Sequence, residues 1–341
     1  MHSNEKKKKK KILIYILVSI FCLGMGSGLF LLYGPYSGFR DWLITTAMNT
    51  MSHQYLATWF YSDKTIAKVL EKNKLTEPSG NTNTDLIDGN ESTFYANEYE
   101  KEVLSRKKGT LYKIIDIKGD TYSGYLAVIY NPSKISVVTA SNLGYSGEYL
   151  VDMAKRKNAV LAINGGGFFD TAGQGDGGTP VGIIIENGVI KNWTRYYNNG
   201  GLIGFTKDNK LYLGRVDSAE AALAMGIRDA VEFGPFLIVN GEAAFTTGNG
   251  GYGLNPRTVI GQRKDGIVLM LVIDGRRVGC MGIDMGELTD IMVRYGAYNA
   301  ANLDGGNSSV MVVNNKIINH PINWDNMEAT RPIATGFIVA K

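Results

Sequence analysis

The feature that most constrains this chain is a run of 22 residues without a charged side chain, from Ile12 to Tyr33, directly after six consecutive lysines. As a helix, this run can cross a hydrocarbon core of about 30 Å, and it exceeds the ~7–15-residue apolar core of an ordinary signal peptide. It predicts a single-pass signal-anchor in the cell membrane, with a cleaved signal peptide as the alternative. The lysines favour a cytoplasmic N-terminus and place the chain after Tyr33 outside.

The excess positive charge lies almost entirely at the N-terminus, in the tail 1–11. Six of the 36 basic residues are Lys6–Lys11, and one of the 32 acidic residues is Glu5, so the rest of the chain is close to neutral. A nucleic-acid-binding domain carries a basic surface of its own. We therefore exclude nucleic acid as a partner and expect membrane contact through the N-terminal helix at 12–33.

Composition divides the chain after the apolar run into three parts. Residues 34–74 contain two stretches of helical periodicity, "DWLITTAMNTMSHQYLATWF" and "DKTIAKVLEKN", which predict a helical stalk. Residues 75–109 are polar and contain proline and glycine, which predicts a mobile linker. In 110–341, short apolar runs and turn residues alternate with helical patterns at 148–158, 218–226 and 285–296. This part predicts an α+β fold, a mixed α/β domain with central twisted sheets and flanking helices.

Two stretches of this domain are unusual in their glycine and acidic residues. Segment 162–182 is rich in glycine, and the backbone N–H groups of such a loop can cradle an anion. It lacks the lysine of a nucleoside-triphosphate loop, and a flexible loop is the alternative. Glu232 lies just before Gly234-Pro235 and an apolar strand. It is a candidate acid, although a glutamate at a strand entrance is also typical of the surface.

Two further stretches place polar residues at strand ends. Arg257 and Arg276 flank two predicted strands, where they could bind a phosphate bidentately or be solvated. Asp274 precedes a glycine, and Asp-Gly also forms hairpin turns. The stretch "NLDGGNSSVM" (302–311) brings a carboxylate, amides, hydroxyls and glycines to the junction of two predicted strands. This convergence favours a site over a spacer.

Histidine is scarce, which limits the chemistry of the domain. Of three histidines, His320 is the one within the domain, and no G-x-S-x-G elbow accompanies it. A Ser-His-Asp hydrolase is therefore disfavoured, and a zinc site with two histidines is excluded by count. Carboxylates, arginines, amides and backbone N–H groups suit carboxylate-based glycosidic cleavage or oxyanion binding. We expect neither a metal nor a cofactor.

Six motifs occur in order along the domain: "INGGGFFD", "GPFLIVNGE", "RTVIGQRKDGIVLMLVIDGR", "GIDMGELTDIM", "NLDGGNSSVM" and "RPIATGFIV". Together they resemble the phosphodiester glycosidase domain, also called the uncovering-enzyme domain, over roughly 110–341. The family includes the animal enzyme that removes N-acetylglucosamine from phosphodiester-linked glycans, and bacterial exported proteins of the exopolysaccharide-associated type. The resemblance implies cleavage of the sugar C1–O bond of a glycosyl phosphodiester.

The motifs and the residue chemistry together predict the site residues. Asp304 is the expected catalytic carboxylate, with Glu232 and Asp274 as further candidate acids. Arg257 and the backbone of 165–167 are expected to bind phosphate. The full predicted substrate-binding set is Asn164, Gly165, Gly166, Gly167, Asp170, Arg257, Arg276, Asn302, Gly305, Gly306, Ser308 and Ser309. Asn164 and Asn302 would orient sugar hydroxyls. Asn307 departs from the family, whose members often have a third glycine there.

Three functional hypotheses follow. The first is a membrane-anchored, outward-facing glycosidase that acts on glycosyl phosphodiesters of cell-surface or extracellular polysaccharide. The second is a non-catalytic glycan-binding or exopolysaccharide-assembly protein that retains the pocket. The third is a hydrolase of ordinary glycosides, which would need a second carboxylate as proton donor. A departing phosphate monoester reduces that need, because it is a good leaving group.

Overall fold

The computed structural model describes residues 2–50, 53–89, 95–169, 175–194, 200–322, 327 and 329–341. The helices in these ranges are α1 His2–Tyr33, α2 Ser37–Met48, α3 Tyr55–Thr58, α4 Asp63–Lys72, α5 Glu98–Leu104, α6 Leu150–Arg156, α7 Ala219–Ala224 and α8 Met285–Arg294. Within α1, Lys7–Tyr33 is long and apolar enough to cross a membrane, and it fits a single-pass anchor or a signal sequence.

The strands in the described part of the chain are short and belong mostly to the domain after residue 110. They are β1 Leu75–Thr76, β2 Tyr112–Lys118, β3 Ser123–Ile129, β4 Ile135–Thr139, β5 Ala159–Asn164, β6 Ile183–Glu186, β7 Val189–Trp193, β8 Gly201–Thr206, β9 Leu211–Gly214, β10 Ile227–Phe233, β11 Phe236–Val239, β12 Glu242–Ala243, β13 Phe245–Thr246, β14 Arg257–Gln262, β15 Val268–Ile273, β16 Asn299–Leu303, β17 Met311–Val313, β18 Lys316–Ile317 and β19 Thr335–Ala340.

Three antiparallel sheets enclose one central apolar core. The first has the strand order β12-β11-β16-β14-β15-β3-β2, the second β18-β17-β5-β19-β4 and the third β7-β6-β10-β8-β9. Phe236, Phe337 and Phe205 come from the first, second and third sheet, and all are fully buried in the same cluster. The rings of Phe205 and Phe337 meet edge to face at 6.2 Å. The core therefore joins all three sheets.

The central strands of each sheet are buried on both faces, because helices cover the outer side. Along β15, Val268, Met270 and Val272 point into the central core, whereas the alternate residues Leu269 and Leu271 pack beneath α8. Helix α6 covers the second sheet and α7 covers the third. Antiparallel sheets with outer helices confirm the α+β class, and the helices predicted at 148–158, 218–226 and 285–296 are present as α6, α7 and α8.

The helices after α1 form a small unit of their own. The buried side chains Ile44, Ala57, Tyr61, Ile66 and Val69 from α2 to α4 make one cluster. The stretch around 41–60 has helical spacing throughout, yet the structure divides it into α2 and α3, which pack against each other and α4. Short helices that fold back bury their apolar sides within the unit, and one continuous helix would leave them exposed.

The described residues of 75–109 lie along the domain, which differs from the expected mobile linker. Ile87, Val103 and Leu104 are 2 %, 0 % and 8 % exposed. Thr82 donates its backbone N–H to Leu213 O at 2.8 Å and accepts from Leu213 N at 3.0 Å. Polar side chains here satisfy main-chain groups, and a few apolar residues are buried, so a hydrophilic composition does not prevent ordered packing.

Candidate active site

The segment after β16 forms a tight loop around Asp304. The backbone N–H of Asp304 donates to Gly165 O at 3.1 Å, and Gly305 N donates to Asp304 Oδ1 at 2.9 Å. Gly306 has a φ of 59°, and a Cβ there would lie 2.9 Å from Arg276 Nη2. Glycine at 306 therefore permits both the turn and the close approach of a guanidinium to the loop.

Asn164, the last residue of β5, fixes this loop from beneath. Its Nδ2 donates to Asp304 O at 2.6 Å, while its Oδ1 accepts from Thr258 Oγ1 at 2.7 Å and from Val310 N at 3.2 Å. The side chain is 1 % exposed. We expected Asn164 to orient a sugar hydroxyl, but the structure uses its amide to join β5, β14 and both ends of the loop.

The three glycines after Asn164 are buried and packed against other elements. Gly165 N donates to Thr335 O and Gly166 N donates to Thr335 Oγ1, both at 2.9 Å. A Cβ on Gly167 would lie 2.9 Å from the Phe233 ring. The expected phosphate cradle at 165–167 therefore lacks at least two of its donors, because the amides of Gly165 and Gly166 already serve Thr335.

Arg257, at the start of β14, is a buried guanidinium beside the loop. Its Nη2 donates to Tyr252 O at 2.8 Å and to Gly253 O at 3.3 Å, and the residue is 8 % exposed. Burial, and then the neighbouring Arg276, lower the pKa of Arg257 to about 10, so it stays cationic at neutral pH. Among the described residues it forms no ion pair with a carboxylate, and its Nε has no hydrogen-bond partner.

Two further arginines lie on the other side of the loop. Arg276 donates to Asn307 Oδ1 and, at 3.1 Å, to Asn255 Oδ1. Burial and then Arg331 lower the pKa of Arg276, and Asp304 partly offsets this. Its side chain nevertheless reaches solvent. Asn307, the departure from the family pattern, thus holds a cation of the site.

Arg331 was absent from the residues predicted from sequence. Its Nε donates to Ser308 Oγ at 3.1 Å, and its guanidinium lies 4.5 Å from the centroid of the Phe168 ring. The signal for it was the arginine that opens the motif "RPIATGFIV". With Arg257 and Arg276 it makes three arginines around the loop 304–309, a strongly cationic setting for one carboxylate.

Glu232, on β10, lies against Gly182 at the end of the glycine-rich segment, on the face of the strand opposite Gly166. Glu232 pairs with Leu202 of β8, so both side chains lie on the face of the sheet covered by α7. The preceding residue, Val231, lies on the other face and packs against Gly166. The Oε2 of Glu232 accepts from Ile183 N at 2.9 Å. Burial raises the pKa of Glu232 more than this hydrogen bond lowers it. The carboxyl is therefore easily protonated, but β10 does not aim it at the Asp304 loop.

Asp274 is a buried anchor at the end of β15. It is 2 % exposed, and its Oδ1 accepts from Asn319 Nδ2 at 2.9 Å and from His320 N at 2.8 Å. Asn319 in turn donates to Ser309 O at 3.1 Å. The sequence predicted Asp274 as a candidate catalytic acid, and in the structure its Oδ1 holds the segment that supports the end of the 304–309 loop. Asn319 was not predicted from the sequence.

Two other predicted residues present buried polar atoms. Asn302 donates from Nδ2 to Gly234 O at 2.9 Å, but its Oδ1 has no hydrogen-bond partner among the described residues. The same holds for the Oγ of Ser309, which is 1 % exposed. An unmet buried polar atom costs about 1–3 kcal/mol. Such atoms suit a polar ligand.

One predicted site residue, Asp170, is not among the residues that the structure describes; it lies in the segment 170–174. In the described part of the chain, no group of three or more His, Cys, Asp or Glu side chains is placed to hold a metal ion. The site that the structure assembles therefore consists of Asp304, its glycines and hydroxyls, and the three arginines.

The chain belongs to the phosphodiester glycosidase family. The family model matches residues 157–340. The resemblance of the ordered motifs is thereby confirmed, and all of the loop 304–309 lies inside the match.

Two curated relatives are similar over about half of this chain. It is 32 % identical over 193 residues to the SPbeta prophage-derived uncharacterized protein YomE of Bacillus subtilis, covering 53 % of this chain and 29 % of that protein. It is 25 % identical over 191 residues to the N-acetylglucosamine-1-phosphodiester alpha-N-acetylglucosaminidase of Bos taurus, covering 50 % and 34 %. The chain thus matches about a third of the length of each relative.

A solved structure shows the same fold. The zebrafish N-acetylglucosamine-1-phosphodiester alpha-N-acetylglucosaminidase catalytic domain, auto-inhibited by its pro-peptide, aligns with a TM-score of 0.58 at 22 % identity. The alignment covers 69 % of this chain and 85 % of that domain. This likeness therefore extends the comparison beyond the family match to most of the domain, at the level of fold.

Proposed function

We propose that this protein is a membrane-anchored glycosidase that cleaves the sugar C1–O bond of glycosyl phosphodiesters in cell-surface or extracellular polysaccharide. The observation that carries the proposal is the cluster of Arg257, Arg276 and Arg331 around one carboxylate, Asp304. Neither Arg257 nor Arg276 forms an ion pair among the described residues. Uncompensated guanidinium groups suit a phosphodiester anion better than a neutral glycoside.

Cleavage of a glycosyl phosphodiester needs little help from a general acid, because the phosphate monoester is a good leaving group. Water adds to C1, the C1–O bond breaks, and the departing oxygen leaves as part of a phosphate monoester that the arginines stabilise. Asp304 acts at the carbon that gains positive charge, as nucleophile or as the base that activates water. Because Glu232 is turned from the loop and Asp274 is committed to Asn319 and His320, Asp304 is the acid we assign to this role.

Several predicted binding residues take a supporting role in this proposal. Asn164 and Asp274 are positioning residues, since one holds the backbone of Asp304 and the other holds Asn319 beneath Ser309. Asn302 and Ser309 contribute their unpaired polar atoms to the substrate. Gly305 and Gly306 let the loop approach Pro256 and Arg276. Helix α1 supplies the membrane anchor.

The test is Asp304→Asn in the full chain, assayed with an activated sugar-1-phosphodiester and a neutral glycoside of the same sugar. Asn keeps the shape and the hydrogen bond from Gly305 but not the charge, so we expect kcat for the phosphodiester to fall by roughly 10²–10⁴-fold with little change in KM. Asp152→Asn, on exposed α6, is the matched control and should retain full activity.

Three other outcomes would contradict the proposed function. Wild-type turnover in Asp304→Asn would overturn the catalytic assignment. Binding of the phosphodiester without turnover in the wild type would instead support the non-catalytic glycan-binding protein. Faster cleavage of the neutral glycoside than of the phosphodiester would support the hydrolase of ordinary glycosides.

A further inference from the structure

Large apolar side chains are exposed together at the membrane-proximal end of the molecule. Tyr55, Leu56, Trp59 and Phe60, on α3 and the turn after it, are 39 %, 37 %, 73 % and 39 % exposed. The rings of Tyr55 and Trp59 lie 4.7 Å apart. We call these four residues the aromatic collar. They contribute nothing to the buried cluster of their own helical unit, whose member from α3 is Ala57.

Hydrogen bonds tie the collar to the last turn of α1. Tyr33 Oη donates to Phe60 O, and Tyr61 Oη donates to Leu32 O, both at 3.0 Å. The rings of Tyr33 and Tyr61 are 6.0 Å apart, edge to face. The collar is therefore held at the level at which the apolar helix ends.

That level coincides with a membrane boundary when α1 spans the bilayer. At 1.5 Å per residue, the uncharged run from Ile12 to Tyr33 is about 33 Å long, close to a hydrocarbon core of about 30 Å. With Lys11 at one boundary, Tyr33 reaches the other. Trp and Tyr are enriched at this depth, because their rings prefer the apolar side while their polar atoms prefer the headgroups.

We propose that the aromatic collar lies in the lipid headgroup interface and seats the helical unit 34–74 on the bilayer. The inference rests on the membrane anchor of the proposed function. Lipid is the occupant that the structure favours, since the collar adjoins the end of a membrane-spanning helix and is continuous with it through Tyr33 and Tyr61.

The helical unit that carries the aromatic collar is also connected to Arg257. Asn249 Nδ2 donates to Thr45 Oγ1 at 2.7 Å, and Thr247 N donates to Lys74 O at 2.8 Å. The segment that these contacts hold continues to Tyr252 and Gly253, whose carbonyls accept from Arg257. The collar thus sets the height of the phosphate-binding arginine above the lipid, which suits a glycosyl phosphodiester presented at the membrane surface.

The test uses tryptophan fluorescence of the full chain in phosphatidylcholine vesicles. Emission of the wild type is compared with Trp59→Phe and with Trp193→Phe, since Trp193 is 54 % exposed on β7 and serves as the matched control. The difference spectra isolate each tryptophan. We expect lipids brominated near the headgroup to quench Trp59 and aqueous iodide to leave it largely unaffected, with the opposite behaviour for Trp193.

The collar proposal would be overturned if iodide quenched Trp59 as strongly as Trp193 and brominated lipid did not quench Trp59. Flotation of the vesicles reports the anchor separately, and protein that fails to float with them would overturn the anchor and the collar together. Hydrolysis of a soluble phosphodiester by the same samples reports the proposed activity. It should proceed whether or not the collar contacts lipid, so the two failures are distinguishable.

Discussion

At the scale of single residues, charge and hydrogen bonding separate the carboxylates of this domain. Asp274 accepts at Oδ1 from Asn319 and His320 and pairs through Oδ2 with Arg277. Glu232 accepts from Ile183 N on the face of β10 opposite Gly166. Asp304 is half-buried on a glycine loop and lies near Arg276. Asp304 is therefore the acid of the three that lies among cations.

Arg257→Lys tests phosphate recognition at this scale. Lysine keeps the charge but loses the planar fork, so we expect transition-state stabilisation to weaken by roughly 1–3 kcal/mol, measured as kcat/KM for a phosphodiester. A neutral glycoside should be almost unaffected. Arg215→Lys, in an ion pair with Glu77 on the surface, is the control and should change neither. Equal losses on both substrates would make Arg257 a structural residue.

The raised pKa of Glu232 predicts how the stability of the protein changes with pH. Burial raises its pKa above the ordinary value of 4.5, so the folded state holds the proton more tightly than the unfolded state. The wild type should therefore lose stability relative to Glu232→Gln as pH rises from about 4.5 through the raised pKa. Urea unfolding at a series of pH values measures the difference.

The matched control for Glu232 has a shift of opposite sign. Burial opposes ionisation of Glu186, but hydrogen bonds from Lys157 and Thr139 outweigh it and lower the pKa. Wild type should therefore gain stability relative to Glu186→Gln as pH rises through the lowered pKa towards 4.5. The same slope for both glutamates would contradict the role of burial at Glu232.

At the scale of elements, the fold depends on strands that are apolar on both faces. β15 divides its side chains between the central core and the layer beneath α8, and β19 does the same between the core and the layer beneath α6. Such strands read as continuous apolar runs without alternation. Turn residues and length therefore identified β15 in the sequence, whereas β19 was noticed only as part of a family motif and the sheet to which each strand belongs could not be read from the sequence.

Phe337→Ala tests this central packing. Phe337 is fully buried on β19 and contacts Phe205 from another sheet, so we expect a loss of about 3–5 kcal/mol in the free energy of unfolding. Phe245→Ala removes the same ring from β13, where it is 68 % exposed, and should cost far less. A small loss at Phe337 in chemical denaturation would argue against a core shared by the three sheets.

At the scale of the whole molecule, the segment 75–109 joins the membrane-proximal unit to the domain and contributes to both. Glu77 accepts from Phe236 N at 2.9 Å, and Val103 and Leu104 pack in the layer with α8. The domain predicted from composition to begin near residue 110 therefore buries side chains that precede it.

Truncation tests this contribution. A fragment 110–341 should unfold at lower urea concentration than 34–341, because it loses the burial of Ile87, Val103 and Leu104, and each such side chain contributes about 1.5–3 kcal/mol when fully buried. A fragment 95–341 keeps Val103 and Leu104 and should lie between the two. Equal midpoints for all three fragments would show that 75–109 is the loose linker that its composition suggests.

The sequence by itself determined the features that depend on local composition and on motif order. The apolar run at 12–33, the α+β class, helices α6 to α8 and the family all follow from residues close together in the chain. The glycines and Asp304 were recognisable for the same reason, since a family motif is a local pattern. Division of charge between the tail and the remaining chain also required no tertiary information.

The tertiary structure decided which of the candidate residues meet and what each is free to do. Arg257, Arg276, Asp304 and Arg331 lie far apart in sequence, and strands of the first and second sheets bring them to one loop. Hydrogen bonds from elsewhere in the fold occupy Asn164 and Asp274 and the amides of the glycines, which no local pattern reveals. Long-range pairing sets both proximity and the remaining hydrogen-bonding capacity, and for that reason candidate residues could be named from the sequence but their roles could not be assigned.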